Sequence, residues 1–201
     1  MIDSTIIINA LMAMPAWESV AALLGAAYII LAAKESKWCW PFAFANTLIY
    51  TVLFWEGQLP MQALLNLYYM GMAIYGYLLW RKHGDNESDV LITSWSFPKH
   101  VLFLVCGAIL SLVTAYYLQK TATSQSPYLD ASVTIFSIMN TWLLARKVLQ
   151  NWMYWIVIDS AAIVLYIQTE YYATAALFVL YTILAIVGVI NWQKRFNQQN
   201  V

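Results

Sequence analysis

The chain has 201 residues, 62% of them hydrophobic and 10% charged, and its ten basic and ten acidic side chains leave no net charge. A soluble domain carries about 25% charged residues, so a mean hydropathy of +0.64 excludes an ordinary globular surface. The balanced charge gives no case for a nucleic-acid partner, which would need a basic face.

The chain opens on an N-terminal segment, residues 1–14, in which Asp3 stands where a signal peptide has its positive region. The apolar run from Thr5 to Met14 is short, so a flat amphipathic helix at the outer interface is expected instead. Crossing the hydrocarbon core takes roughly 20 mostly apolar residues. Such stretches run over 17–33, 38–55, 60–80, 99–118, 128–144, 152–167 and 170–192. They predict an all-α membrane protein of seven transmembrane helices. Lys34-Glu35-Ser36-Lys37 and Glu56-Gly57-Gln58-Leu59 are short connections, whereas Gly84-Asp85-Asn86-Glu87-Ser88-Asp89 reads as a solvated loop.

Seven spans place the connections on alternating sides. One side receives Lys34, Lys37, Arg81, Lys82, Lys99, Arg146, Lys147, Lys194 and Arg195, and the other receives Lys120. The basic side is the cytoplasm by the positive-inside rule, which puts the N-terminus outside and the C-terminus inside. The Asn86-Glu87-Ser88 glycosylation triplet then faces the cytoplasm and is a chance match. Cys39 and Cys106 have no CxxC partner, and His83 and His100 have no ligand spacing. No metal or other cofactor is expected.

Aligning 60–82 with 172–194 at an offset of 112 pairs Tyr69 with Tyr181, Gly76 with Gly188, Trp80 with Trp192 and Lys82 with Lys194. With the offset raised by one, Leu31-Ala32 and Lys34 fall on Leu144-Ala145 and Lys147, and Phe42 with Asn46 falls on Trp155 with Asp159. The pattern predicts two parallel three-helix repeats joined by a linker helix, a 3+1+3 arrangement. Residues 15–82 form the first repeat, 83–120 the cytoplasmic loop and linker helix, 121–195 the second repeat, and 196–201 a cytoplasmic tail. Parallel repeats occur in transporters whose substrate site lies near midplane between them.

Polar side chains inside lipid usually face a protein interior or a wet cavity. Phe42 with Asn46, and Trp155 with Asp159, each stack one helical turn apart. Trp152 lies on the side of Trp155, Gln62, Asn66 and Tyr69 follow helical spacing, and Asn140 lies deep in the fifth span. The alternative is that aromatic residues form interfacial belts and amides bond neighbouring helices. Belts are the expectation for Trp38, Trp40, Trp80 and Trp192, which lie close to lysines, and Trp152 stays open between the two readings. Asp159 sits about two turns inside its span, without a basic residue there. Rings, amides and one carboxylate suit a small flat polar ligand, neutral or singly cationic. A phosphorylated ligand would call for Arg or Lys in the cavity, and the span interiors carry neither.

The sequence resembles the bacterial nicotinamide riboside transporters, the PnuC family, over nearly its whole length. The resemblance rests on Gln62-x-x-x-Asn66-x-x-Tyr69 running on to Tyr75-Gly76-Tyr77-x-x-Trp80, on Trp142-Leu143-Leu144-Ala145-Arg146-Lys147, on Asn151-Trp152-x-x-Trp155-x-x-x-Asp159, and on Gly188-x-x-x-Trp192-x-Lys194. It implies a homotrimer in the inner membrane whose members import nicotinamide riboside by facilitated diffusion, a cytoplasmic kinase trapping the cargo for NAD synthesis. A non-transporting vitamin or nucleoside sensor is the rival reading. A retinal receptor would need a lysine within a span, and an enzyme a convergent catalytic set, so no enzyme is expected.

Overall fold

A computed structural model describes residues 16–56, 60–81, 91–121 and 124–199, apart from the side chains of residues 16, 18, 19, 60–62 and 173. The expected interfacial helix over 1–14, the solvated loop and its glycosylation triplet, and the side chain of Gln62 lie outside the described residues. Seven helices follow in order: α1 (Ala16–Ala33), α2 (Cys39–Glu56), α3 (Pro60–Arg81), α4 (Phe97–Lys120), α5 (Pro127–Ala145), α6 (Asn151–Gln168) and α7 (Tyr172–Gln199). Each contains one of the seven apolar stretches almost whole. Proline in the first turn of α3, α4 and α5 suits the position where a backbone N–H has no intrahelical partner. It also starts α4 two residues before the expected Lys99. At the other end, α7 runs through most of the expected tail to Gln199, because neither Gly nor Pro follows Trp192 to stop it. The Gln199 side chain accepts a hydrogen bond from the Ile92 amide at 3.1 Å.

Three helix ends share one design. Glu35, Lys147 and Glu170 adopt left-handed backbone, with φ of 59°, 51° and 66°. After α1, Ser36 N donates to Leu31 O at 2.9 Å and Glu35 N to Ala32 O at 2.9 Å. After α5, Val148 N donates to Leu143 O at 3.0 Å and Lys147 N to Leu144 O at 3.0 Å. After α6, Tyr171 N donates to Tyr166 O at 2.8 Å. These bonds cap carbonyls that the helix leaves unpaired, an arrangement that usually recruits glycine. Holding an ordinary side chain there costs roughly 1–2 kcal/mol. At 35 and 147 the strain has a visible return, since the two side chains meet in a buried ion pair of 2.5 Å.

Those caps reveal the internal register. Cys39 and Asn151, Glu56 and Gln168, Pro60 and Tyr172, Ala33 and Ala145, and Glu35 and Lys147 all stand 112 apart. The offset does not rise to 113 in the first two helices of each unit. Thr47, rather than Asn46, is the counterpart of Asp159, and Ala43, rather than Phe42, that of Trp155. Capping hydrogen bonds fix this register, whereas the alanine- and leucine-rich matches that suggested the shift are chance identities in apolar sequence.

Packing follows the same pattern. Within the first unit α1 packs on α2 and α2 on α3; within the second, α5 packs on α6 and α6 on α7. The units meet where α1 packs on α7 and α3 on α5. Helix α4 lies along α5, and its His100 Nδ1 meets the Tyr154 hydroxyl of α6 at 2.7 Å. Preceding α4, Thr93 pairs with the α5–α6 turn through Thr93 N to Lys147 O at 2.9 Å and Leu149 N to Thr93 O at 2.8 Å.

Leu23, Val52, Leu102, Ile109, Val157 and Ile190, from five helices, are all exposed. Soluble monomers rarely show apolar surface on this scale, and lipid is the solvent that accommodates it. Helix α4 and the segment Thr174–Gln199 of α7 are each long and apolar enough to cross a bilayer by composition alone, with mean hydropathy 2.2.

Candidate functional site

Where the units meet, the basic end is closed by indoles rather than ringed by them. Trp38 is exposed as a belt residue would be, but Trp40, Trp80 and Trp192 are buried. Trp80 Nε1 donates to Ala145 O at 2.9 Å, and Trp192 Nε1 donates to Ala32 O at 3.0 Å. Each indole of the third helix of one unit thus bonds the end of the other unit's first helix. This satisfies a buried donor and a helix-end carbonyl together, which an interfacial position would leave to water. Trp40 meets Trp80 edge-on at 5.3 Å, and Trp152 meets Trp192 edge-on at 5.6 Å. A Cβ at Gly76 would overlap the Trp40 ring, and one at Gly188 the Trp152 ring. Glycine is required at both positions by close approach. Outside this layer Glu35 bonds Lys147 through one oxygen and Arg195 through the other at 3.0 Å.

Deeper in the bundle, α6 turns one stripe inward. Trp152 and Asp159 are 2% and 4% exposed. Trp155 between them packs on both the indole cluster and the cluster of Val133, Ile158 and Ala162. The stripe follows from positions 152, 155 and 159, which share a helix face. Among the described residues no basic side chain pairs with Asp159. Its charge is left to whatever polar groups or ligand stand opposite.

The remaining expected residues divide by role. Asn140 is fully buried, and its Nδ2 donates to Asn151 O at 2.9 Å, tying α5 to the start of α6. Asn46 Nδ2 donates to Ala21 O at 2.6 Å, tying α2 to α1. Tyr69 is half-buried and within hydrogen-bonding reach of Ser137 on α5, beside Tyr68, whose hydroxyl donates to Ile138 O at 3.0 Å. Asn66 is half-buried on α3. Phe42 is half-buried too, but it is Phe44 that packs against the buried core. Phe42 corresponds in the observed register to Tyr154 and does not mirror Trp155.

Four polar atoms at the inner edge of the indole layer are buried without a hydrogen-bond partner among the described residues: Trp40 Nε1, Trp152 Nε1, Asn140 Oδ1 and Asn151 Oδ1. Two are donors and two acceptors, and each costs roughly 1–3 kcal/mol while unsatisfied. Trp40 and Asn151 were not among the expected site residues. Trp40 was reachable from Trp152 through the offset of 112. Asn151 follows a helix-capping turn whose burial no sequence pattern announces.

The apolar exterior of the seven described helices, around buried polar groups, is that of a multi-pass membrane protein. Residues 15–194 match the nicotinamide mononucleotide transporter family, and the chain belongs to it. A relative in Escherichia coli, the nicotinamide riboside transporter PnuC, is 24% identical over 200 residues, which covers 87% of this chain and 84% of the relative. The riboflavin/roseoflavin transporter RibM of Streptomyces davaonensis is 25% identical over 184 residues, covering 89% and 84%. The crystal structure of the vitamin B3 transporter PnuC shares the fold, with a TM-score of 0.75 and 22% identity over 96% of this chain and 88% of that one.

Proposed function

We propose that the protein carries nicotinamide riboside across a bacterial inner membrane down its gradient, the N-terminus outside, with cytoplasmic phosphorylation keeping the cargo inside and feeding NAD synthesis. The single observation that carries this reading is the inward stripe of Trp152, Trp155 and Asp159, whose carboxylate has no basic partner among the described residues. A pyridinium ring supplies the missing cation and a face for an indole to stack on. Carboxamide and ribose hydroxyl groups match the donors and acceptors left open by Trp40, Trp152, Asn140 and Asn151. Gln62, Asn66, Tyr69, Asn46 and Phe42 complete the proposed lining. The unit of function is a homotrimer, each protomer having its own pathway.

The match to RibM favours a second cargo, a flavin. An isoalloxazine ring also stacks on indole, but it is neutral and leaves Asp159 uncompensated. Calorimetric titration of the purified protein with nicotinamide riboside, its mononucleotide and riboflavin separates the readings. Nicotinamide riboside should bind most tightly; tighter binding of riboflavin would move the assignment to flavins. A sensor would bind the riboside equally well yet fail to move it into sealed vesicles.

A further inference from the structure

We propose that Tyr181 of α7 is a specificity-determining residue, its hydroxyl placed beside Asn46 to hold a hydroxyl group of the cargo's sugar. The assignment rests on the riboside reading given above. Gly25 on α1 is buried, and a Cβ there would stand 2.9 Å from the Tyr181 hydroxyl and 3.1 Å from Asn46 Nδ2. The phenol of α7 and the amide of α2 therefore converge over bare backbone of α1, an approach that any larger residue at 25 would push back. The amide is fixed by its bond to Ala21 O. Phe178 one turn earlier holds the Tyr181 ring edge-on at 5.5 Å. Tyr50 of α2 and Asp159 of α6 both lie within electrostatic range of the same hydroxyl, so Tyr181 is near Asn46 and Asp159, which the sequence suggested separately.

Its counterpart at the offset of 112 shows why the two halves differ. Tyr69 lies within hydrogen-bonding reach of Ser137 across the α3–α5 contact. The position equivalent to Ser137 is Gly25, which has no side chain to bond. Glycine in place of serine supplies no side-chain hydroxyl from α1, and the proposal gives that role to a ligand hydroxyl. A phenol and an amide next to a carboxylate can donate to and accept from a sugar hydroxyl at once. A cargo without that hydroxyl would leave them unpaired, which is how polar sites discriminate.

The test combines Tyr181→Phe with cargo analogues, measured by calorimetry on the purified full chain. Wild type should bind nicotinamide riboside and, about tenfold more weakly, one of its 2′-deoxy and 3′-deoxy analogues. Tyr181→Phe should weaken the riboside about tenfold and leave that deoxy analogue within twofold of wild type. Gly25→Ala should weaken the riboside as well, and adding Tyr181→Phe to it should cost little more. Equal losses on riboside and both analogues would mean a structural role and overturn the proposal, as would unchanged binding throughout. Failure of wild type to bind the riboside would instead overturn the substrate reading.

Discussion

At the scale of single residues, the account turns on what faces the cargo and what merely braces the bundle. Trp155 spans two buried clusters, and stacking on a desolvated cation is worth about 1–2 kcal/mol. Trp155→Ala should weaken riboside binding roughly tenfold, and Trp155→Phe should recover part of the loss by keeping a ring. Asp159→Asn keeps the shape and removes the charge. It should hurt the cationic riboside more than its neutral reduced form, measured side by side by calorimetry; equal losses would assign Asp159 to a hydroxyl instead. The sequence singles out Trp155 and Asp159 because a carboxylate within an apolar span has few bland explanations, and the structure buries Asp159. It misassigned Trp40, Trp80 and Trp192, because an indole near a lysine looks the same whether it meets headgroups or another helix. Burial separates the two readings, and burial depends on partners 65 and 160 positions away, as the bonds from Trp80 to Ala145 and Trp192 to Ala32 show.

Among the helices, the buried Glu35–Lys147 pair joins two capping turns, and both members depend on the other for compensation. Removing one partner of such a pair typically costs about 3–5 kcal/mol, while replacing both with uncharged side chains costs far less. Glu35→Gln and Lys147→Met should each lower the thermal midpoint in detergent by several degrees, and the double variant should lie above both. Additive losses in this double-mutant cycle would show the pair to be uncoupled. Arg195 is the half-exposed third member, and Arg195→Gln should cost much less. Helix positions were readable from apolar length alone, and their starts were sharpened by proline. The register between units was not, since Leu and Ala recur too often in lipid-facing sequence to fix an alignment. Left-handed caps at Glu35 and Lys147 fix it, and nothing in a Glu or a Lys announces positive φ.

For the whole molecule, nine basic side chains against one set the proposed orientation. Cysteines placed at 37 and at 120 should react with an impermeant maleimide from inside and outside respectively; the reverse pattern would invert the topology. Asp159, with no cluster of metal-ligating side chains around it among the described residues, leads to the expectation of uncoupled transport. Initial uptake into vesicles without kinase should survive a protonophore and the removal of sodium, and collapse under either would establish coupling. The fold class and family were legible because seven spans and the motifs around Asn66, Trp155 and Trp192 survive in sequence, whereas the proposed lining draws its side chains from several helices, whose approach no sequence pattern states. The most direct measurement is therefore uptake of labelled nicotinamide riboside by the purified protein in proteoliposomes, with excess unlabelled riboside, mononucleotide or riboflavin as competitors. The account predicts saturable uptake that the riboside blocks and that the mononucleotide, whose phosphate meets no basic side chain in the spans, leaves nearly intact. Absence of saturable uptake, or stronger inhibition by riboflavin or the mononucleotide than by the riboside, would contradict it.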